Sequence, residues 1–219
     1  METTYIEIDS PDKHLSDVLE EIPSNVILYK TLTGIGATYS EIKAQRHSII
    51  IEPNVPVIIG KCNSDKHKND NLLGVYEGVT TDRIIKYLGA SRGKYYKILT
   101  TPESFTKVKD AFLIFNGKIY NTCFLLIDEA HKTIKDVDYR SDIVLPMNDF
   151  FKFKGKALVS ATPLKFSDPR FEENGFSIIK IEPTYDYAKE IDIKPSTNIL
   201  REVWEEFGWM PFITGQDKD

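Results

Sequence analysis

The chain has 219 residues, 41% of them hydrophobic, with a formal net charge of −5 and two cysteines. This composition supports one folded core, and it excludes a disulfide framework and a membrane protein, since no apolar run approaches the roughly 20 residues of a membrane helix. It also argues against a protein that coats duplex DNA by bulk charge, and the lack of a secretory signal pattern leads us to expect a cytoplasmic protein.

Short apolar runs alternate with amphipathic stretches along the chain. The apolar runs predict strands at residues 26–29, 48–52, 97–100, 123–127 and 157–160. The amphipathic stretches predict helices at residues 15–21, 37–46, 81–88, 102–112 and 139–150. Strands that are apolar almost throughout are typical of parallel sheets covered on both faces by helices. We therefore predict an α/β fold with three layers and a mainly parallel sheet.

Two further segments bear on domain organisation. The polar and charged residues 61–71 are expected to form a surface loop or a mobile insertion. Cys62, Asp65 and His67 lie close together there, but a zinc site normally recruits four ligands, so a solvated loop is the favoured interpretation. Beyond residue 163 a short apolar run at 177–181 is followed by a proline-containing linker, a helix-like segment at 198–207 and a strand-like segment at 210–214. We predict one domain over residues 1–165, then a linker and the start of a second, incomplete domain over residues 166–219.

Two carboxylates end an apolar strand in the segment LLIDEAH, residues 125–131. Ligands of parallel α/β sheets bind at the carboxyl ends of the strands. Asp128 is therefore placed to hold Mg²⁺, and Glu129 to orient or deprotonate a water that attacks a γ-phosphate. The alternative is an ordinary helix N-terminus, where acidic residues interact favourably with the helix dipole.

The segment YKTLTGIGATYSE, residues 29–41, passes from a strand through a Thr/Gly loop into a helix pattern. Such a loop aims backbone N–H groups at an anion, although a tight turn alone would also need its glycines. Compared with the phosphate-loop pattern G-x-x-x-x-G-K-[ST], the loop keeps Gly36 and Thr38 but has Ala37 in place of lysine. Lys30 either supplies part of the missing charge or is a solvated lysine at a strand end. The predicted nucleotide-binding residues are Lys30, Thr31, Thr33, Gly34, Ile35, Gly36, Ala37 and Thr38, with Thr38 and Asp128 as Mg²⁺ ligands.

Two shorter motifs also follow strands. TTPES, residues 100–104, starts a helix with Pro102 near its first position, which ordinary capping would explain. LVSATP, residues 158–163, ends a strand in two hydroxyl side chains, which a turn would explain. Each motif is weak alone, so their order along the chain matters more than either one.

In order and spacing, these segments together resemble the core of superfamily 2 helicases. Residues 34–38 are similar to motif I, and the segment Asp128-Glu129-Ala130-His131 matches motif II of the DEAH type. The other similar segments are Glu52-Pro53-Asn54 for motif Ia, Thr101-Pro102-Glu103 for motif Ib and Ser160-Ala161-Thr162 for motif III. The resemblance covers residues 26–163 and rests mainly on the DEAH and SAT segments.

This resemblance implies a RecA-like sheet that binds ATP and Mg²⁺ and contacts DNA or RNA, as a single strand. It implies that His131 acts with Asp128 and Glu129 in catalysis, and that Ser160, Ala161 and Thr162 couple the nucleotide state to the nucleic acid. The residues expected to contact nucleic acid are Pro53, Asn54, Thr101, Pro102 and Glu103, with Arg92 and Lys94 nearby in sequence.

The chain departs from the family pattern in two ways. The phosphate-loop lysine is missing, which removes charge that stabilises phosphates. The later motifs that complete the family's ATP site are also not found, so we expect a second chain or another RecA-like domain to supply them. Two functions stay open: an ATP-dependent helicase or translocase domain with impaired hydrolysis, and a non-hydrolysing module that binds nucleic acid or a protein partner.

Overall fold

The computed structural model describes residues 1–32, 34–135, 144–162 and 168–186. Strands and helices alternate along most of this part of the chain. In order they are β1 (Thr3–Ile8), α1 (Leu15–Val18), β2 (Val26–Lys30), α2 (Ala37–Lys43), β3 (Ser48–Ile51), α3 (Val55–Cys62), β4 (Leu72–Val75), α4 (Thr81–Ala90), β5 (Lys97–Thr100), α5 (Phe105–Phe115), α6 (Ile119–Thr122), β6 (Phe124–Ile127), α7 (Ala130–Lys135), α8 (Val144–Phe150), β7 (Gly155–Ser160), α9 (Arg170–Glu173) and β8 (Ser177–Pro183).

All of these strands belong to one parallel sheet. Its order is β1-β8-β2-β7-β6-β3-β5-β4. Successive residues of β3 point to opposite faces, as in any strand. Ile49 and Ile51 pack in a core with Phe105 of α5, whereas Ile50 packs in a second core with Ile42 of α2. Helices therefore cover both faces, and the predicted three-layer α/β fold is confirmed.

The strands that the apolar runs predicted are present, with ends within two residues of the predicted ones. The structure adds strands β1 and β4 and helices α3, α6, α7 and α9, which are absent from the predicted strands and helices. The prediction of a surface loop at residues 61–71 is wrong in part, because α3 extends to Cys62 and a 3₁₀ turn spans Asp65–His67. His67 is buried there and its Nδ1 lies 2.8 Å from Asp70 Oδ2. The contact with Asp70 gives the buried His67 ring a polar partner inside this charged segment.

The sheet also extends past the domain boundary predicted at residue 165. Strand β8 lies between β1 and β2, where it pairs in parallel with both. The described chain through Asp186 accordingly forms one unit. The apolar run was assigned to the next unit because a strand that inserts between two strands far away in the chain carries no local signal of its neighbours. Residues 187–219, with the helix and strand predicted there, lie outside the described residues.

No helix in the described part of the chain combines the length and the apolar character that a bilayer span requires.

A buried ion pair stabilises the edge of the sheet where its strands begin. The Glu41 side chain is fully buried, and it accepts hydrogen bonds from Arg46 Nε at 3.0 Å and Ser48 Oγ at 2.6 Å. The Arg46 guanidinium also lies over the Phe124 ring, 3.5 Å from its centroid, and donates to the Ile22 carbonyl at 2.8 Å. Removing Arg46 would leave the buried Glu41 carboxylate without its ion-pair partner, with the Ser48 hydroxyl still donating to it.

We expect Arg46→Ala to lower the free energy of unfolding by about 3–5 kcal/mol, because breaking one side of a buried pair strands the other charge. Urea unfolding followed by circular dichroism measures the change. Arg83→Ala, at an exposed position of α4, is the matched control and should change it by less than about 0.5 kcal/mol. If Arg46→Ala and Arg83→Ala lowered the free energy of unfolding by the same small amount, the stabilising role of the Arg46–Glu41 ion pair would be contradicted.

Candidate functional site

The carboxyl ends of parallel strands meet at one edge of the sheet, and the predicted site lies there. A pocket of about 380 Å³ opens between the ends of β2, β3 and β6 and the start of α2. It is lined by Lys30, Gly34, Gly36, Ala37, Thr38, Tyr39, Glu52, Pro53, Asn54, Val57, Lys61, Asp128, Glu129 and Lys132. The glycine loop and the acidic strand end therefore share one pocket, as the resemblance implied.

The two glycines of the loop give it a backbone that other residues rarely adopt. Gly34 has φ 81° and Gly36 has φ 87°, both in the left-handed region. A Cβ at Gly34 would meet no atom within 4 Å, so conformation and not crowding explains this glycine. The loop is tied to α1 by a hydrogen bond of 2.8 Å from Leu15 N–H to the Ile35 carbonyl. The main chain thus turns sharply between β2 and α2 along the pocket.

Three oxygen-bearing side chains converge at the base of the pocket. Thr38 Oγ1 lies 2.5 Å from Asp128 Oδ2 and 3.0 Å from Glu52 Oε1. The hydroxyl has a single hydrogen, so it donates to one of these buried carboxyl groups at a time. Burial and then the charge of Asp128 raise the pKa of Glu52, against the opposing effects of Lys61 and Thr38. This is an electronegative cluster of hard oxygen atoms.

Lys30 supplies the opposing charge. Its side chain is only 8% exposed, and its Nζ lies 3.0 Å from Asp128 Oδ1 and 2.7 Å from Glu129 Oε1. Burial lowers the pKa of Lys30, but the charges of Asp128 and Glu129 and the hydrogen bonds to them outweigh it, so the pKa lies above its ordinary value. The ammonium is therefore charged, and the alternative of a solvated strand-end lysine is wrong.

Glu129 lies in the turn from β6 to α7 with an unusual backbone. Its φ is 51°, a left-handed value that costs a non-glycine residue about 1–2 kcal/mol. The Glu129 N–H donates to Asp128 Oδ1 at 2.8 Å, which holds this turn. The conformation leaves the Glu129 carboxylate 24% exposed at the pocket, in contact with Lys30. Glu129 is thus the carboxylate of the site that solvent reaches most easily.

The hydrogen bonds continue to the neighbouring strand end. His131 Nδ1 lies 3.2 Å from Ser160 Oγ and 3.5 Å from Glu129 Oε2. Ser160 Oγ donates to the Thr162 carbonyl at 2.7 Å, so its one hydrogen is used and His131 Nδ1 must be the donor to it. Ala161 and Thr162 are half-buried beside it. The contact predicted between the DEAH and SAT segments is present.

The predicted nucleotide-binding residues divide into two groups. Lys30, Gly34, Gly36, Ala37 and Thr38 line the pocket. Thr31 and Ile35 do not line it. Thr31 is exposed and its N–H donates to the Ile181 carbonyl, whereas the Ile35 side chain is buried in the core on one face of the sheet. Thr33 lies outside the described residues.

The residues predicted to contact nucleic acid do not form one surface. Pro53 and Asn54 line the pocket described above. Thr101, Pro102 and Ser104 are buried in the turn after β5, where only Glu103 is exposed.

Arg92 and Lys94 precede β5, so they lie at the opposite edge of the sheet, beside His47 and Tyr95. The error in the prediction came from closeness in sequence, since a strand separates the two groups.

Five residues of the pocket were not among the predicted site residues of any kind: Tyr39, Glu52, Val57, Lys61 and Lys132. Glu52 directly follows a strand that the sequence did predict, so the rule that strand ends bear ligands could have found it. Lys61 and Val57 belong to α3, whose apolar run interrupted by Pro56 and Gly60 gave no helix signal. Lys61 Nζ lies 3.4 Å from Glu52 Oε1.

The donor atoms fit Mg²⁺ bound together with phosphates. Mg²⁺ prefers oxygen ligands and is usually held by one or two carboxylates, with phosphates and waters as its other ligands. Thr38, Asp128 and Glu52 provide such oxygens. Among the described residues, no group of three or more His, Cys, Asp and Glu side chains is arranged to hold a metal ion by itself. Waters and phosphates would be the other ligands of an ion here.

Comparison with known proteins gives structural matches only. No family model matches the chain, and no curated protein does either. The structure is similar to that of a hypothetical ATP-dependent RNA helicase from Sulfolobus tokodaii, with a TM-score of 0.49, 16% identity, and 72% of this chain and 48% of the other covered. It is also similar to the Hef helicase domain of Pyrococcus furiosus, with a TM-score of 0.48, 14% identity, and 78% and 38% covered. The chain spans less than half of either protein chain.

Proposed function

We propose that this chain is a helicase-type nucleotide-binding domain that binds a nucleoside triphosphate with Mg²⁺, ATP being the expected ligand, and hydrolyses it. One observation carries the proposal: the Thr38 hydroxyl, the Asp128 carboxylate and the Lys30 ammonium meet at the base of a pocket lined by a left-handed glycine loop. A pocket that combines a fixed cation, hard oxygen ligands and exposed backbone suits a polyanion with a divalent cation.

Each residue has a distinct part in this proposal. Thr38 and Asp128 would hold Mg²⁺, which when bound neutralises phosphate charge and aligns the phosphates. Glu129 is the half-buried carboxylate next to them that solvent still reaches, and it would orient and deprotonate the attacking water. His131 holds Ser160 at the next strand end, so a change at Glu129 would be transmitted to the SAT segment.

The second candidate is a non-hydrolysing module with the same fold. It is favoured by Ala37, which stands where the phosphate loop has its lysine, and by the two carboxylates that already engage Lys30. Such a module would hold nucleic acid or a protein partner without turnover. The Asp128–Glu129–His131 contacts favour the first candidate, because a module without phosphate chemistry does not need a solvent-accessible carboxylate beside the buried Asp128 and Thr38 oxygens.

Release of inorganic phosphate from Mg-ATP, with and without single-stranded DNA or RNA, tests the proposal. Because the family completes its ATP site with a second RecA-like domain, the assay should include the longer protein or partner chain where one exists. Phosphate release above a heat-denatured control supports hydrolysis. Nucleotide binding without any release would leave the non-hydrolysing module.

For the nucleic-acid contact we propose single-strand binding at the edge that bears Arg92 and Lys94. Both cations are exposed there beside Tyr95, whose side chain is 45% exposed, in a pocket of about 530 Å³. Phosphates are bound by such cations and bases stack on aromatic rings. The turn after β5 instead exposes the carboxylate of Glu103, which would repel phosphate.

We expect Arg92→Ala/Lys94→Ala to weaken single-strand binding at low salt, because two cations are lost. The slope of log affinity against log salt should become shallower by up to about 1.4. Fluorescence anisotropy of a labelled oligonucleotide measures both quantities. Arg83→Ala/Lys86→Ala, which removes two exposed cations of α4, is the control. Identical slopes for the two double variants would remove this surface and favour a protein partner.

A further inference from the structure

We infer that Lys30 replaces the lysine missing from the glycine loop: its ammonium, carried on the strand before the loop, binds the terminal phosphates of the nucleotide. The inference rests on the proposed function, since it assigns a ligand contact within the same pocket. The phosphate-loop pattern has its lysine at the position of Ala37, and Lys30 lies seven positions before it.

The sheet order brings Lys30 to the site. Lys30 is the last residue of β2, and β7 lies between β2 and β6. Neighbouring strands are about 4.8 Å apart, so the side chain must extend across the end of β7 to reach the residue after β6. It does so, because its Nζ lies 3.0 Å from Asp128 Oδ1. A lysine extended in this way ends beside Thr38, whose Oγ1 lies 2.5 Å from the other oxygen of the same carboxylate.

The ammonium also has bonding capacity left. Lysine has three N–H donors, and among the described residues Lys30 Nζ is engaged by two carboxylates. The third donor is available at a pocket that Lys30 itself lines. A lysine acts on phosphate as a compact point charge at the end of a flexible chain, so its position on the main chain matters less than where its ammonium lies.

The other two cations of the pocket are less suited. Lys61 is held by Glu52 at 3.4 Å, with its side chain 26% exposed, and Lys132 is exposed to solvent. Charges in solvent are screened, whereas the buried ammonium of Lys30 is not. Ala37 lines the same pocket, although it is 3% exposed and also belongs to the core on one face of the sheet. Positions 30 and 37 therefore border the same space.

Isothermal titration of the chain with Mg-ATP tests the assignment. Lys30→Met should weaken binding by about tenfold to a hundredfold, the range for loss of a charge-assisted hydrogen bond. Lys30→Met/Ala37→Lys returns an ammonium to the pocket from the loop and should recover part of the affinity. Lys68→Met, at an exposed position of the same chain, is the control and should stay within about twofold of the unchanged protein.

Thermal unfolding shows whether each variant is folded. Lys30→Gln, which keeps hydrogen-bond donors for Asp128 and Glu129, serves if Lys30→Met does not fold, with a similar loss expected. The assignment of Lys30 to the terminal phosphates would be overturned if a folded Lys30 variant bound Mg-ATP with unchanged affinity. It would also be overturned if Lys61→Met lost affinity while the Lys30 variants did not. A folded double variant without any recovery would give Lys30 the role of a counter-ion for the carboxylates instead. Failure of the unchanged chain to bind Mg-ATP would overturn the proposed function itself.

Discussion

Asp128→Asn should reduce the affinity for Mg-ATP by more than about 100-fold. Outer residues that only position metal ligands change metal affinity by about 10–100-fold, so loss of a carboxylate that binds the ion directly should cost more. The side chain of Asp128 is 7% exposed and accepts hydrogen bonds from Lys30, Thr38 and the Glu129 N–H. Asparagine keeps its shape but removes the charge. Titration of nucleotide in the presence of Mg²⁺ measures the loss.

The same titration without Mg²⁺ separates the metal from the nucleotide. If Asp128 acts through the ion, the variant and the unchanged protein should differ much less when Mg²⁺ is chelated. Asp110→Asn, an exposed position of α5, controls for the loss of one negative charge. An Asp128→Asn variant that binds Mg-ATP as tightly as Asp110→Asn would remove Asp128 from the metal site.

Glu129→Gln should reduce phosphate release by about 100- to 10,000-fold while leaving nucleotide affinity nearly unchanged, because general-base groups contribute on that scale. Glutamine cannot accept the proton of the attacking water, but it can still accept a hydrogen bond from Lys30. The left-handed backbone at position 129 is held by the hydrogen bond from the Glu129 N–H to Asp128, so we expect glutamine there to adopt the same backbone as glutamate. Single-turnover phosphate release, together with a binding titration, separates the two quantities.

Glu103→Gln is the matched control, since Glu103 is exposed in the turn after β5. Loss of affinity in Glu129→Gln, equal to its loss of turnover, would mean that Glu129 holds the nucleotide and does not act on water. A rate unchanged by Glu129→Gln would leave the hydrolysis part of the proposal without its base.

The sequence predicted β2, β3, β5, β6 and β7 because their apolar residues face both sides of the sheet. Short, nearly continuous apolar runs that alternate with amphipathic stretches are typical of buried parallel strands. Edge strand β1 has mostly exposed residues and was not predicted. Strand β8 was assigned to another unit, since pairing between residues far apart in the chain leaves no local trace.

The site followed a similar division. Asp128, Thr38 and Ser160 each end a predicted strand or begin a predicted helix, and the rule for parallel sheets places such residues at one edge. Local sequence could not decide whether Lys30 faced solvent, because that depends on whether its side chain extends across the end of β7 to Asp128. Lys61 required knowledge of α3, whereas Glu52 ends a predicted strand and the same rule could have found it. Arg92 and Lys94 were grouped with Thr101 because sequence distance conceals the length of β5, which separates them.

The most direct measurement for the central claim is the titration of the unchanged chain with ATP, once with Mg²⁺ and once with Mg²⁺ chelated. If Thr38, Asp128 and the glycine loop form a metal–nucleotide site, heat of binding should saturate at one nucleotide per chain with Mg²⁺, and the affinity should fall steeply without it. The three carboxylates that line the pocket, Asp128, Glu129 and Glu52, explain this dependence, because they repel phosphates that carry no bound cation. No saturable binding with Mg²⁺, or the same affinity with and without the ion, would contradict the account.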